Sequence, residues 1–226
     1  DYYTKDTVPF FWLYDFLICN TMRHYELFKA HHNVIYIPWG TDIDLFRPIE
    51  KRNNNGQFIF FHSCGLSPGR KGTDILIKAF SMMATKASKL IIHSQGSFEE
   101  NLIKNLPIYN NEPNLISKLL DIISSHDYVE IIEEETDPPG FFSIGDIYVY
   151  PTRLEGIGLT IAEALACGLP VLTTDNPPMN EFVRNEYNGF LLEVKKRLFR
   201  HDNYYWPMSI VSSNTLMECM EYCVLH

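Results

Sequence analysis

No apolar run in the 226-residue chain reaches the eighteen or so residues that a bilayer span needs. No basic segment followed by a short apolar stretch marks a secretion signal. The expectation is a soluble protein, cytoplasmic or peripheral at a membrane. Basic charge is also scarce: 19 Lys and Arg stand against 28 Asp and Glu, a formal net charge of -9. That balance argues against broad contact with a phosphate backbone and sets nucleic acid aside as a partner. Metal-ligand spacing is missing too. Cys19, Cys64, Cys167, Cys219 and Cys223 are odd in number and scattered, so free thiols in a reducing compartment are expected. His31, His32, His62, His93 and His126 follow neither HExxH nor a Cys/His pattern, and a histidine near a strand end is more often structural. There is no initiator methionine. The chain opens at Asp1 ahead of VPFFWLYDFLI, and the expectation is that residues upstream are missing.

What is there suits a globular chain of one domain or one and a half, with 46% hydrophobic and 14% aromatic residues to build a core. From residue 57, short β-branched or aromatic runs alternate with amphipathic stretches, the pattern of a parallel sheet covered by helices. Strands are expected at Phe58–Ser63, Leu90–Ser94, Val129–Ile132, Ile147–Tyr150 and Val171–Thr174, with Gly189–Val194 as a sixth at an edge. Helices are expected at Thr73–Lys86, Pro113–Ser125 and Leu159–Cys167. The fold class is α/β, a doubly wound, Rossmann-like parallel sheet, in which ligands bind outside the carboxyl ends of the strands. Ahead of it, Tyr14–Cys19, Thr21–Phe28 and Val34–Ile37 read as strand, helix and strand. Residues 51–57, Asn-rich and polar, read as a linker. After Lys196, a helical tail at Asn214–Cys223 has no identifiable packing partner.

The segment EGIGLTIAEALACGLPV, from Glu155 to Val171, carries the most chemistry. Gly156, Ile157 and Gly158 form a turn between the strand ending at Tyr150 and the helix opening at Leu159. The amides around Gly158, Leu159, Thr160 and Ile161 at that helix start make a natural anion site. Glu155 lies in the turn and Glu163 in the helix. A capping acid and a solvated helix acid are the plain alternatives, but Glu163 sits among LTIAEALACG without polar neighbours. Two phosphate motifs fail here. The dinucleotide fingerprint lacks its third small residue, at Ile161, and in GLSPGRKGT Arg70 stands where a P-loop needs its second glycine. The basic pair Arg70 and Lys71 survives, between a strand and a helix at the carboxyl edge of the sheet, where a diphosphate could be met; a simply solvated pair is the alternative. Asp42 and Asp44 could chelate a divalent ion, but no basic or glycine-rich companion accompanies them.

These residues carry a resemblance. EGIGLTIAEALACGLPV, preceded by DIYVYPTRL and followed by TTDNPPMNEFVRNEYNGFLLEV, resembles the C-terminal half of retaining GT-B glycosyltransferases of family four. NVIYIPWGTDIDLFRP is similar to the crossover from that family's N-terminal domain, and PGRKGTDILIKAF to the opening of its donor domain. The likeness spans roughly residues 33–194 and includes a glutamate pair with seven residues between them. It implies residues 1–50 as the end of an acceptor domain with its crossover, 58–195 as a nucleotide-sugar-binding domain, and 196–226 as a C-terminal tail. It implies a nucleoside-diphosphate sugar, UDP- or GDP-linked, as donor substrate, with no cofactor and no metal. Glu163 would hold the ribose hydroxyls, Glu155 with Gly156, Ile157 and Gly158 would face the sugar, and the amides of Leu159 and Thr160 would meet the diphosphate. Arg70 and Lys71 would neutralise the diphosphate as it leaves, and the base would lie near Val129 to Glu135. The family usually places an arginine directly after its first donor-domain strand, where this chain reads Cys64-Gly65-Leu66; Arg70 is the substitute. The family's N-terminal glycine-rich loop and sugar-side histidine have no counterpart in residues 1–50. A donor-binding half, needing its N-terminal domain to act on a glycan, lipid or protein acceptor, is therefore expected. A non-catalytic nucleotide-binding or regulatory module of the same fold is the alternative, and an NAD-type dehydrogenase the third.

Overall fold

The computed structural model describes residues 3–48, 56–84, 87–200 and 202–226. The first unit is small: a 3-10 turn at Val8–Leu13, then β1 (Leu17–Cys19), α1 (Met22–Phe28) and β2 (Val34–Tyr36). Thr21 caps α1 by accepting from the His24 amide. β1 and β2 pair in parallel, and Val8, Cys19 and Phe28 form their buried cluster. All three elements stand where the sequence placed them, each a residue or more shorter.

The main body begins with β3 (Phe58–Gly65) and continues α2 (Thr73–Met82), β4 (Ser88–Ser94), α3 (Phe98–Tyr109), α4 (Leu115–Ser125), β5 (Val129–Glu133), β6 (Ile147–Tyr150), α5 (Leu159–Ala166), β7 (Val171–Thr174) and β8 (Gly189–Leu192). Its six strands pair in parallel in the order β5-β4-β3-β6-β7-β8. The period of two along each strand sorts the core. Phe60, Leu90, Ile92, Val149 and Leu172 face one cluster, under α2, α3, α4 and the C-terminal helix. Phe61, Ile91, Tyr148, Tyr150 and Val171 face the other, with Ile161 and Ala164 of α5. With both faces covered, the strands are apolar almost throughout. A side chain such as Phe60, wholly out of solvent, contributes about 1.5–3 kcal/mol by that burial.

Three differences from the sequence expectation have local causes. α2 ends at Met82, because Met83 is already extended; Lys86 lies outside the described residues, as do residues 51–55 of the expected linker. α3 was not foreseen, since Pro107 and several asparagines break its apparent period. It forms because Ser97 accepts from the Glu100 amide at 3.3 Å and Glu133 Oε1 accepts from the Phe98 amide at 2.6 Å, two acceptors for otherwise orphaned donors. The C-terminal region adds an antiparallel pair, β9 (Val194–Leu198) with β10 (Met208–Val211), and α6 (Ser213–Leu225). So Val194 belongs to β9 and the edge strand stops at Leu192. The partner of the tail helix is α2, against which α6 buries Leu216 and Met220. Cys219 and Cys223 pack on the same cluster. Among the described residues, no helix is long and apolar enough to cross a membrane.

Candidate functional site

The strand order reverses direction between β3 and β6, the first and fourth strands of the sheet. In such sheets the crevice outside the carboxyl ends of those two strands is where ligands bind. The loop after β3 carries Arg70 and Lys71, and the loop after β6 carries Glu155 to Gly158. The two loops are stitched together. The Arg153 amide donates to the Arg70 carbonyl at 2.8 Å. Gly72, at φ 74°, packs so close that a Cβ there would sit 2.2 Å from the Pro151 carbonyl oxygen. Below them, Arg153 grips Asp74 with two hydrogen bonds of 2.8 Å, both side chains 2% exposed, and Arg153 also donates to the Gly69 carbonyl.

That frame brings Arg70, Lys71 and Glu155 together. Glu155 Oε1 pairs with Arg70 Nη1 at 2.7 Å and accepts from Tyr150 Oη at 2.6 Å and Thr152 Oγ1 at 3.0 Å. The residue is buried. Burial alone raises its pKa, but Arg70 and Lys71, aided by the Tyr150 hydroxyl, win and hold it below the usual carboxylate range. Lys71 lies over the Tyr150 ring at 4.9 Å. Burial lowers the Lys71 pKa, with Glu155 opposing. Behind the pair, His62 is wholly buried: Nδ1 donates to the Val149 carbonyl at 2.7 Å and Nε2 accepts from Thr73 Oγ1 at 2.8 Å. Burial pushes its pKa down to about 4, so the ring is neutral at ordinary pH and Nε2 is the acceptor. As expected of a histidine by a strand end, its contacts are structural.

Across the crevice, α5 starts at Leu159 behind Gly158, at φ 86°, with no side chain capping its first turn. A cavity of about 160 Å³ opens beside it, lined by Ser63, His93, Phe141, Phe142, Thr160 and Glu163 among others. Thr160 Oγ1 and Tyr148 Oη are buried neighbours, and among the described residues neither has a hydrogen-bond partner at bonding distance. Glu163 is half-buried there, and burial raises its pKa, with Lys71 only partly offsetting. The cavity wall at this end of the sheet is residues 136–142 rather than Val129–Glu135, because β5 takes up Val129–Glu133 and Glu133 serves α3. Gly156 faces open space, with nothing within 4 Å of where a Cβ would stand. On its far side, Gly156 and Ile157 line a second cavity, of about 460 Å³, against the first unit.

Sequence reasoning missed the residues that hold the site's shape. Tyr150 and Thr152 flank the motif, and a polar pair at a buried strand end was a signal. Arg153 in YPTRLEG was another. Asp42 is occupied locally: its Oδ1 accepts from the Asp44 and Leu45 amides at 3.0 Å, an Asx turn. Among the described residues no three His, Cys, Asp or Glu side chains gather as metal ligands would.

Known proteins match this chain in both sequence and shape. The O-antigen biosynthesis glycosyltransferase WclY of Escherichia coli is 31% identical over 157 residues, covering 66% of this chain and 39% of that protein. The UDP-Gal:alpha-D-GlcNAc-diphosphoundecaprenol alpha-1,3-galactosyltransferase of Escherichia coli is 25% identical over 181 residues, 75% of this chain and 43% of the other. The chain thus spans about two-fifths of the length of these relatives. Anabaena HepE, solved in complex with UDP and glucose, superposes with a TM-score of 0.64 at 20% identity, over 92% of this chain and 53% of that one, a likeness of fold. The sequence model described as Glycosyl transferases group 1 matches residues 44–199. That match runs through both loops of the crevice and over more than half of the sequence, and the chain belongs to the glycosyl transferases group 1 family.

Proposed function

We propose that this chain carries the donor side of a retaining glycosyltransferase and binds a nucleoside-diphosphate sugar, UDP- or GDP-linked, at the β3–β6 crevice. The observation that carries the reading is the convergence of Arg70, Lys71, Glu155 and the uncapped start of α5 at the reversal point of the sheet. Glu163 accepts from the ribose hydroxyls, and the base lies in the cavity against Phe141 and Phe142. The amides of Leu159 and Thr160 meet the diphosphate, while Glu155 with Gly156, Ile157 and Gly158 faces the sugar. Fold relatives solved with UDP and with UDP and glucose support that donor class.

Chemically, the site is built to stabilise a departing anion. As the bond from the anomeric carbon to the phosphate oxygen breaks, its electron pair stays on the diphosphate, which Arg70 and Lys71 neutralise without a metal. A preorganised cation in a partly dry site gains most when the charge on its partner grows. Diphosphate also restores the charged form of Lys71, which burial disfavours. The acceptor hydroxyl forms the new bond on the face the leaving group vacates and gives its proton to the leaving phosphate, so configuration is retained. The acceptor, a glycan, lipid or protein, is read by an N-terminal domain that the longer relatives leave room for, and the donor side alone transfers little or no sugar.

The test is calorimetric titration with UDP, GDP, ADP and NAD. One nucleoside diphosphate should bind, about tenfold or more weaker in Glu163→Ala, the worth of hydrogen bonds to a charged acceptor. Because burial raises the Glu163 pKa, wild-type affinity should begin to fall on acidification above the usual glutamate range, and Glu163→Gln should lack that fall. Failure of every nucleotide to bind overturns the donor site, and preference for NAD would favour a dehydrogenase.

A further inference from the structure

Arg23 reaches from α1 into the main body and touches the loop that faces the sugar. Its Nη2 donates to the Glu155 carbonyl at 2.7 Å and to the Gly156 carbonyl at 3.4 Å. Its Nη1 donates to the Pro177 carbonyl at 3.0 Å. The guanidinium lies 4.2 Å from the Trp206 ring centre, which covers it, and the residue is buried. A reciprocal contact runs the other way: the Glu181 carboxylate accepts from the Met22 amide at 2.7 Å and the Arg23 amide at 3.0 Å, satisfying two donors at the start of α1.

A cation buried against main-chain carbonyls is costly to arrange, and two Nη groups serving three carbonyls require a planar fork. None of the three carbonyls belongs to α1 or its sheet. The bonds therefore fix the loops after β6 and β7 relative to the first unit. Glu155 is held by its side chain from one side, through Arg70, and by its backbone from the other. Gly156 stands between, with the cavity of about 460 Å³ behind it.

We propose that Arg23 is a positioning residue that sets the Glu155–Gly156 backbone for the sugar of the donor, making recognition of the sugar depend on the first unit of the chain. This rests on the reading in which Glu155 and Gly156 face the sugar and Glu163 faces the ribose. Release of the backbone misplaces only the sugar-facing groups, since the ribose and base contacts come from α5 and residues 136–142.

The experiment measures affinities of the whole chain for UDP, UDP-glucose, UDP-galactose, GDP and GDP-mannose, in wild type and in Arg23→Met and Arg23→Lys. In wild type, a nucleotide sugar should bind more tightly than its nucleoside diphosphate. In Arg23→Met that advantage should fall by about tenfold, the worth of charge-assisted bonds, with nucleoside-diphosphate affinity within about twofold. Arg23→Lys, keeping the charge but not the fork, should recover part of the advantage. An unchanged ratio in Arg23→Met overturns the proposal, as does an equal loss for nucleotide and nucleotide sugar, the mark of a merely structural arginine. Absence of all nucleotide binding in wild type overturns the donor site itself, a result distinct from either.

Discussion

His62 sits behind the crevice with no exposed surface and with both ring nitrogens engaged, by the Val149 carbonyl and the Thr73 hydroxyl, and its burial disfavours the charged ring. Its pKa in the fold is about 4, against an ordinary 6.5. Between those values the unfolded chain binds a proton that the fold refuses. The contribution of His62 is therefore complete above pH 6.5 and is lost as pH falls toward 4, an interval corresponding to about 3 kcal/mol. Urea unfolding at pH 7.5 and pH 5 should show wild type losing about 2 kcal/mol more than His62→Gln; parallel losses would exclude this role. At this scale the sequence was informative about charge-bearing positions and silent about their partners. Glu155, Glu163, Arg70 and Lys71 stood out by their neighbours in the chain. The partnership of Arg70 with Glu155 did not, because ion pairing depends on distances that only the strand order sets. Arg23 gave no signal at all, being one of three polar residues, with His24 and Glu26, on a short helix.

The loops after β3 and β6 are one mechanical element, and the buried pair of Arg153 and Asp74 is its fastening. Asp74→Asn leaves the guanidinium buried, with carbonyl and amide acceptors but no counter-charge. Removing one partner of such a pair costs about 3–5 kcal/mol. Chemical denaturation should register a loss near that size, and a loss below about 1 kcal/mol would mean that the loops are held by other contacts. Elements were legible where burial imposes a simple period. The central strands, covered on both faces, read as apolar runs such as FIFF in β3 and IYVY in β6, and α2, α4 and α5 showed their inward stripes. Where a cap rather than a period makes the helix, as with Ser97 and Glu100 at α3, the stripe alone was not enough. β9 shows Lys195, Lys196 and Arg197 to solvent, so its sequence looks like a polar loop. The partner of α6 is α2, far away in the chain, and no local pattern encodes it.

Across the whole molecule, the first unit is joined to the main body by reciprocal contacts at α1 and by a bridge between Thr4 and Tyr204. Its own buried cluster is small, so its order depends on that seam. Glu181→Ala should remove a cap worth about 1 kcal/mol, and amide exchange at Met22 and Arg23 should quicken by about fivefold. Amides of β3 and β6 should be unaffected; equal quickening there would show that the molecule opens as one body. The apolar runs of the sequence are all short, and among the described residues no helix is long and apolar enough to cross a membrane. Composition and charge carried nothing about the seam, which joins residues 158 positions apart. The strand order has one more consequence. It divides the crevice between two separate stretches of chain, the cations of one loop and the carboxylates of another loop and the helix that follows it, with Leu154 standing 84 positions after Arg70. A cut in the polar turn at residues 110–114 would leave each half-site on its own fragment. If the proposed donor site is right, recovered nucleotide binding on mixing the fragments would report their reassociation, making the crevice a sensor of its own assembly.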